Sequence, residues 1–233
     1  MRLPRVGWAA DDVEVEQAWL PRFAAVLPVA VPLPVAVGRP AEGYPWAWSV
    51  YRWLPGRSMT PGGTADDVAL ARDLGAAVVA LHGVAPDGGR AAGRGGPLHE
   101  RDADTRPLLP PGAVDVWDQA LDAAPWSGPP RWVHGDLAPG NLLLDEGGRL
   151  SAVIDWGACG TGDPACDLAP AWTVLGLRAR VPYREAVGLD DAAWARGRGW
   201  ALSIALLQLD FYAGRLPALE AVAATSLAAV LEG

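Results

Sequence analysis

One segment, residues 134–157, constrains this chain of 233 residues more than any other. It has the sequence H-G-D-L-A-P-G-N-L-L-L-D-E-G-G-R-L-S-A-V-I-D-W-G. Asp136 precedes the amide of Asn141 by five residues, and a second carboxylate, Asp155, follows an apolar run. The run L-L-L-D-E-G-G-R-L-S-A-V-I, with its central turn residues, predicts a β-hairpin between the two polar ends. Each part alone is common, but all the parts in this order make a specific pattern.

The order of these residues is typical of a kinase catalytic loop followed by a metal-binding aspartate, H-x-D-x-x-x-x-N and then D-x-G. Phosphoryl transfer needs a carboxylate that orients the attacking hydroxyl and accepts its proton, which we predict to be Asp136. It also needs oxygen ligands that hold Mg²⁺ against the phosphates, for which Asn141 and Asp155 are candidates. His134 is interpreted as a brace of the loop and not as a base.

The composition limits the class of protein. With 51% hydrophobic residues, the chain can build a sizeable core in one domain, or a small lobe and a larger one. We see no membrane-spanning run and no apolar stretch after the N-terminal M-R-L-P-R, so we predict neither a membrane span nor a signal peptide and expect a cytoplasmic protein. The net charge of −8 argues against a nucleic-acid partner. It suits a cationic small substrate, although such acidity also simply keeps proteins soluble.

The basic and sulfur-containing residues exclude further chemistries. All 19 Lys and Arg positions are Arg, so no mechanism can use a Schiff-base or P-loop lysine. Cys159 and Cys166 do not form a zinc pattern, because a structural site needs four Cys or His ligands and the three His residues lie elsewhere. We expect two buried or semi-buried thiols.

Periodicity and turn residues predict the main elements. Helices are expected over residues 11–19, 64–83, 114–123, 168–177, 191–210 and 218–231. The second of these would be capped by Thr64. The proline-punctuated residues 27–40 are limited to edge-strand or extended geometry, and the aromatic residues 46–53 predict a strand. Residues 86–107 have the composition of a mobile loop.

With these motifs in place, the chain resembles the aminoglycoside phosphotransferase family of small-molecule kinases, most of all its antibiotic and macrolide phosphotransferase-like branch. The similarity extends over nearly the whole chain: R-L-P-R at 2–5, V-E-V-E-Q-A-W-L-P at 13–21, W-S-V-Y-R-W-L-P-G at 48–56, W-V-H-G-D-L-A-P-G-N-L-L-L at 132–144, V-I-D-W-G at 153–157, G-D-P-A-C-D-L-A at 162–169 and W-A-R-G-R-G-W-A-L at 194–202. The motifs at 134–169 are the most specific to the family.

The resemblance implies an α+β, protein-kinase-like fold of two lobes. Residues 1–56 would be an incomplete N-terminal α/β lobe and hinge on the nucleotide side, and residues 57–233 a mainly helical C-terminal lobe with the catalytic loop and acceptor site. It implies an ATP- or GTP-dependent kinase that uses Mg²⁺ and phosphorylates a hydroxyl of a small molecule such as an aminoglycoside or macrolide antibiotic. Two alternatives remain open: a catalytically weak or dead remnant, and a metabolic kinase acting on a sugar, choline or homoserine. No nucleic-acid, membrane or obligate protein partner is expected.

The resemblance also assigns residues. On the nucleotide side, Glu16 matches the helix glutamate that pairs with the cation holding the α- and β-phosphates, and that cation falls on Arg2. Glu14 shares the helix, and either glutamate could instead be a solvated residue. The hinge, whose backbone groups would meet the adenine edge, is formed by Arg52, Trp53 and Leu54.

In the catalytic segment, the resemblance makes Asp136 the base and makes Asn141 and Asp155 the Mg²⁺ ligands. Asp167 of G-D-P-A-C-D-L would be a structural carboxylate that supports the catalytic loop. Gly135 stands where protein kinases carry Arg, and no A-P-E follows the second aspartate. These departures favour a small-molecule acceptor over a protein and argue against activation-loop phosphorylation.

The N-terminus is the largest departure from the family. The family places two strands and a glycine-rich turn before the cation, whereas only Met1 precedes Arg2 here. We therefore expect Met1 to be an internal valine, encoded by GTG and mistaken for the start, and a longer product to carry the rest of the small lobe. The 233-residue form is expected to fold through its larger lobe and to bind ATP poorly.

Overall fold

The computed structural model describes residues 1–59 and 68–233 and consists of helices and small antiparallel sheets. The helices are α1 (Ala10–Ala24), α2 (Val68–His82), α3 (Asp102–Thr105), α4 (Val114–Asp122), α5 (Pro170–Thr173), α6 (Leu177–Val187), α7 (Asp191–Tyr212) and α8 (Pro217–Glu232). The strands are β1 (Pro34–Gly38), β2 (Trp48–Tyr51), β3 (Arg57–Ser58), β4 (Arg131–Val133), β5 (Leu142–Leu144), β6 (Leu150–Val153) and β7 (Gly160–Gly162). Within the described ranges, no helix is both long and apolar enough to cross a membrane.

In the described part of the chain, the strands form three small sheets. β1 pairs with β2, β5 lies between β3 and β6, and β4 pairs with β7, all antiparallel. The start of the chain adds a bridge to the first sheet, since the backbone N–H of Arg2 donates to the Ser49 carbonyl at 2.8 Å and Ser49 returns a bond of 3.2 Å. This bridge places the second residue of the chain beside β2.

The predicted hairpin is confirmed as β5 and β6. Leu142 pairs with Val153, and the D-E-G-G turn is closed by a bond of 3.0 Å from the Asp145 N–H to the Arg149 carbonyl. The short hairpin forces the residues just before β5 and just after β6 to be neighbours.

Helix α1 begins with two acidic residues in its first turn, where the helix dipole favours them. Its buried side chains recur at helical spacing and include Val13, Trp19, Leu20 and Phe23. The helix is longer than the predicted residues 11–19, and it continues past an internal Pro21 because the apolar face continues.

The aromatic residues of α1 pack on the catalytic segment. The ring of Trp19 lies 4.2 Å from that of Trp132, and Phe23 lies 5.1 Å from both Trp132 and Trp156, centroid to centroid. One hydrophobic core therefore extends across residue 56, where we predict the boundary between lobes. The boundary itself stays a prediction.

Two glycines of the W-A-R-G-R-G-W motif let α7 pack closely on its neighbours. A Cβ atom on Gly197 would lie 2.5 Å from the Cβ of Leu168, and one on Gly199 would lie 2.6 Å from that of Ala120. Both glycines are buried, so a larger residue at either place would push α7 outward.

The structure corrects two predictions. Residues 86–107 are not a mobile loop: they contain a turn of 3-10 helix at Leu98–Arg101 and the helix α3, and part of the segment is bonded to β7. The helix predicted over 168–177 is wrong, because α5 is only four residues long and a separate helix, α6, begins at Leu177. Thr64 and the start of the helix predicted over 64–83 lie outside the described residues.

Candidate active site

The H-G-D loop begins where β4 ends, and the carboxylate of Asp167 accepts hydrogen bonds from its backbone. The backbone N–H of His134 donates to one carboxylate oxygen of Asp167 at 2.9 Å, and that of Gly135 donates to the other at 2.8 Å. Gly135 has φ = +75°, a conformation that glycine adopts readily and that would strain an arginine in this position. Asp167 is buried, and its carbonyl accepts a further bond of 2.5 Å from the Tyr183 hydroxyl. This geometry matches the supporting role that the resemblance implies for Asp167.

His134 has both ring nitrogens engaged with the backbone. Its Nε2 lies 3.2 Å from the Ile154 carbonyl, and its Nδ1 accepts the N–H of Asp136 at 3.2 Å. One neutral tautomer satisfies both bonds, with the proton on Nε2. Burial lowers the pKa of His134, which also favours the neutral ring. These contacts support the interpretation of His134 as a brace.

Asp136 presents a partly exposed carboxylate, with 31% of its side chain accessible. One oxygen, Oδ1, accepts a bond from Nη1 of Arg94. The other, Oδ2, lies 3.2 Å from the amide nitrogen of Asn141, which also donates to the Asp136 carbonyl at 2.8 Å. Because the amide NH₂ faces Asp136, the amide oxygen of Asn141 is left to face elsewhere.

The hairpin brings Asn141 and Asp155 together. The N–H of Ile154 donates to the Asn141 carbonyl at 2.9 Å. Asp155, the next residue, therefore lies beside the loop that carries Asn141. Asp155 adopts φ = 60° and ψ = 67°, the left-handed region that non-glycine residues rarely occupy. Such strain is often found at functional sites, and here it accompanies a side chain that is 55% exposed.

The donor set at Asn141 and Asp155 suits Mg²⁺. An amide oxygen and a carboxylate are hard oxygen ligands, and Mg²⁺ is commonly held by one or two carboxylates with substrate phosphates and water. Within residues 1–59 and 68–233 no group of three or more His, Cys, Asp or Glu could hold a metal ion.

Arg2 is the centre of a charged network on the nucleotide side. Its Nη1 binds Glu16 and lies 3.1 Å from Oδ1 of Asp155, and its Nη2 lies 3.5 Å from Asp12. The hydroxyl of Tyr51 donates to the second oxygen of Glu16. The structure therefore places the predicted cation and the predicted helix glutamate in direct contact.

The structure distinguishes the two candidate glutamates. Glu16 is 3% exposed, whereas Glu14 lies on the exposed face of α1. Burial raises the pKa of Glu16, and the charge of Arg2 opposes that rise.

Gly157 of D-W-G makes room for this network. A Cβ atom there would overlap Nη2 of Arg2 and would lie 2.9 Å from a carboxylate oxygen of Asp12. Trp156 is buried, and its ring nitrogen donates to the Val153 carbonyl. Its role is packing against His134 and Phe23.

Two arginines that the sequence analysis missed contact both halves of the site. Arg90 donates to Asp12 at 2.8 Å, to the Gly157 carbonyl and, through Nε, to the Cys159 carbonyl at 3.3 Å. Arg94 donates to the carboxylate of Asp136 and, at 2.9 Å, to the backbone carbonyl of Gly135. Both belong to the segment that its composition marked as a loop. One sequence signal could have identified them: two arginines lie four residues apart in a chain that has no lysine, so that arginine supplies every permanently charged side-chain cation.

The network opens into a cavity of about 570 Å³. Its lining includes Arg2, Glu16, Tyr51, Asp155 and the predicted hinge residues Arg52, Trp53 and Leu54. The backbone N–H of Arg52 is already donated to the Leu33 carbonyl at 2.9 Å, so it continues the sheet and does not face a ligand. Trp53 is 90% exposed.

A second cavity, of about 410 Å³, lies on the other side of Asp155. Asp136, Asn141 and Asp155 line one end of it. The remaining walls come largely from α5, α7 and α8 and include Thr173, Ile204, Gln208, Tyr212, Leu219, Val222 and Ser226. Among the described residues that line this cavity, the carboxylates are Asp136 and Asp155.

The fold and this site define the class of protein. The chain has the protein-kinase-like fold of the small-molecule phosphotransferases, with the H-G-D loop, the hairpin and D-W-G at the junction of two cavities. The sequence profile of the phosphotransferase enzyme family matches residues 1–200, and the chain belongs to this family.

Individual relatives agree with this assignment. The uncharacterised protein YcbJ of Bacillus subtilis (strain 168) is 28% identical over 196 residues, which are 78% of this chain and 60% of that protein. This chain thus matches less than two thirds of the length of that relative. The GDP and kanamycin complex of APH(2")-IIIa has a TM-score of 0.72 at 20% identity, covering 97% of this chain and 84% of that one. The macrolide 2'-phosphotransferase MphH from Brachybacterium faecium has a TM-score of 0.63 at 26% identity, covering 96% and 82%.

Proposed function

We propose that this chain is a phosphotransferase that moves the γ-phosphate of ATP or GTP to a hydroxyl of a small molecule. One observation carries the proposal: Asp155 lines both cavities, with Arg2 and the hinge on one side and Asp136 on the other. A nucleotide in the first cavity and an alcohol in the second would meet at this aspartate and at the H-G-D loop.

In this proposal Asp136 orients the acceptor hydroxyl. Its two oxygens each accept one bond from the protein, and a carboxylate has about four lone-pair sites, so a further bond from the hydroxyl can be accepted. As the acceptor oxygen forms its bond to the γ-phosphorus, the bond from that phosphorus to the leaving diphosphate breaks and the hydroxyl proton passes to Asp136.

Arg2 and Glu16 would position the nucleotide. A guanidinium is always charged and forms forked bonds to phosphate oxygens, so Arg2 can replace the lysine that is usual in kinases. Asn141 and Asp155 would hold Mg²⁺, which when bound neutralises charge on the phosphates. Because the N–H of Arg52 is used by the sheet, base recognition would fall to the remaining backbone groups of Trp53 and Leu54 and to the carbonyl of Arg52.

The donor nucleotide is either ATP or GTP. GDP is bound in the solved complexes of APH(2")-IIIa, which supports GTP as a donor beside ATP. Calorimetric titration of the chain with Mg–ATP and with Mg–GTP measures the preference directly.

The acceptor pocket supports an antibiotic with a large apolar face. An aminoglycoside carries several ammonium groups, and each needs an acidic or polar partner when it loses water. The described lining offers Asp136 and Asp155 together with apolar side chains such as Ile204, Leu219 and Val222 and a few uncharged polar ones such as Gln208. We therefore propose a macrolide rather than an aminoglycoside as the better acceptor, and a role in macrolide resistance.

The proposal is tested by a panel of hydroxyl acceptors with labelled ATP and GTP, in which macrolides, aminoglycosides, choline, homoserine and simple sugars are compared. The Asp136→Asn variant serves as the blank. Transfer to a macrolide that is lost in this variant would support the proposal. Binding of Mg–nucleotide without transfer to any acceptor would instead indicate a catalytically silent remnant.

A further inference from the structure

The segment that carries Arg90 and Arg94 is built into the wall of the site. Its backbone lies along β7: the N–H of Ala92 donates to the Thr161 carbonyl at 3.0 Å, and the N–H of Thr161 donates to the Arg90 carbonyl at 2.7 Å. The carbonyl of Gly95 accepts the N–H of Asp163 at 2.7 Å. These bonds fix the backbone on both sides of the two arginines.

Glycines in β7 allow this close contact. A Cβ atom on Gly160 would lie 2.6 Å from the backbone nitrogen of Ala92, and one on Gly162 would overlap the Gly95 carbonyl. The segment therefore sits directly against the strand, with no space for a side chain between them. A rigid backbone at these positions limits where the long arginine side chains can reach.

Arg94 holds the carboxylate of Asp136. A single terminal nitrogen, Nη1, donates both to the Gly135 carbonyl at 2.9 Å and to Oδ1 of Asp136. Oδ2 of the same carboxylate is held by Asn141. Since the Asp136 side chain is 31% exposed, it would otherwise be free to rotate about χ1 and χ2, so the arginine and the amide together select one orientation.

We infer that Arg94 is a positioning residue for the proposed phosphoryl transfer, an inference that rests on the proposed function. Arg94 lines neither the nucleotide cavity nor the acceptor cavity, so it acts through Asp136 and not on the substrates. Its charge keeps a cation beside the carboxylate, and the two bonds from Nη1 fix the direction in which the carboxylate accepts the hydroxyl proton. Loss of Arg94 therefore slows the transfer step and leaves nucleotide binding in place.

Arg90 provides the matched comparison, because it comes from the same segment and serves the other half of the site. It ties Asp12 of α1 to the backbone of Gly157 and Cys159, next to the Arg2 network. Its loss should loosen the nucleotide side. If the segment mattered only for stability, both variants would change the same properties.

The experiment compares Arg94→Gln, Arg94→Lys and Arg90→Gln with the parent chain and with Asp136→Asn. Calorimetry gives the Kd of Mg–ATP, thermal melting gives the stability, and kcat and KM are measured with the panel compound that the parent phosphorylates fastest. We expect Arg94→Gln to lower kcat by about 10- to 100-fold with the Kd of Mg–ATP within about two-fold of the parent. Arg94→Lys should recover part of that loss, because the charge remains while the planar guanidinium that places Nη1 between the two oxygens is lost. Arg90→Gln should instead raise the Kd of Mg–ATP.

Two results would overturn the inference without removing the proposed function. The first is a kcat for Arg94→Gln within about two-fold of the parent while Asp136→Asn is inactive, which leaves the proposed function standing. The second is a parallel loss of kcat, affinity and melting temperature in Arg94→Gln and Arg90→Gln, which assigns the segment a structural role alone. Equal transfer by Asp136→Asn and the parent would remove the proposed function, and the inference with it.

Discussion

Nη1 of Arg2 lies 3.1 Å from Oδ1 of Asp155, although 153 positions separate the two residues. The same nitrogen binds Glu16, so one cation is shared by the carboxylate of α1 and the carboxylate that follows the hairpin. Opposite charges at this distance stabilise each other more strongly in a partly buried site than in water. Both residues line the cavity of about 570 Å³.

The Asp136→Asn variant should keep its affinity for Mg–nucleotide and lose turnover. The amide cannot accept a proton in the transition state, and general-base roles contribute about 10²- to 10⁴-fold to rate. Single-turnover transfer and calorimetry measure the two quantities separately. Asp115→Asn, on an exposed turn of α4, is the control and should match the parent in both. Undiminished turnover in Asp136→Asn would refute the assignment of the base.

The Asp155→Ala variant should lose the Mg²⁺-dependent part of nucleotide binding. Removing the carboxylate removes the charged protein ligand proposed for the ion, and only the amide oxygen of Asn141 remains. Titrations with nucleotide in Mg²⁺ and in EDTA should therefore give nearly the same Kd for this variant. A parent-like difference between the two conditions would exclude Asp155 as the metal ligand.

The Gly157→Ala variant should weaken nucleotide binding more than it weakens the fold. Its Cβ would overlap the end of the Arg2 side chain, which is flexible and can move away, whereas the pairing with Glu16 and Asp155 depends on where that end lies. We expect about 1 kcal/mol of lost stability, typical of a single substitution, with a larger change in the Kd of Mg–ATP. Gly112→Ala is the matched control, since no heavy atom lies within 4 Å of its added Cβ. Identical nucleotide affinity in both variants would contradict this account of D-W-G.

The Asp167→Ala variant should be strongly destabilised. It leaves the buried N–H groups of His134 and Gly135 without their acceptors, at a cost of about 1–3 kcal/mol each. Urea unfolding should show a loss of roughly 2–6 kcal/mol on this basis. Asp87→Ala, on an exposed turn, should change the free energy of unfolding little. A comparably small change for Asp167→Ala would mean that the loop does not depend on this carboxylate.

Buried His134 should make the fold less stable in mild acid. Burial lowers its pKa below the value of about 6.5 expected in the unfolded chain, so at pH values between the two the unfolded state binds more protons. This contribution to stability is therefore full above about pH 6.5 and decreases as the pH falls towards the folded pKa, with a slope of up to about 1.4 kcal/mol per pH unit. Urea unfolding from pH 7 to 5 should be less steeply pH-dependent in His134→Gln than in the parent, whereas His99→Gln, on an exposed turn, should follow the parent. Equal slopes in His134→Gln and the parent would mean that another group causes the pH dependence.

The local order of residues was enough to predict the catalytic segment. A hairpin between two polar ends follows from L-L-L-D-E-G-G-R-L-S-A-V-I alone, because short strands joined by a glycine-containing turn have few alternatives. The contact between Asn141 and Ile154 is a direct consequence of that hairpin. Helices α1, α2, α4, α7 and α8 were also predictable, since their apolar residues recur at helical spacing, whereas the 11-residue α6 was not predicted.

The rest depended on contacts between distant parts of the chain. The segment around Arg90 and Arg94 has no periodicity and many glycines, so composition suggested a mobile loop. It is ordered because its backbone bonds to β7, a strand about 70 residues further along, and because the glycines of that strand allow the contact. The sequence alone therefore supplied the candidates for metal binding and for proton acceptance. Only the tertiary structure decided which arginines lie beside these residues. An arginine pairs with a carboxylate that the packing of distant elements brings close to it, and the local sequence does not specify that packing.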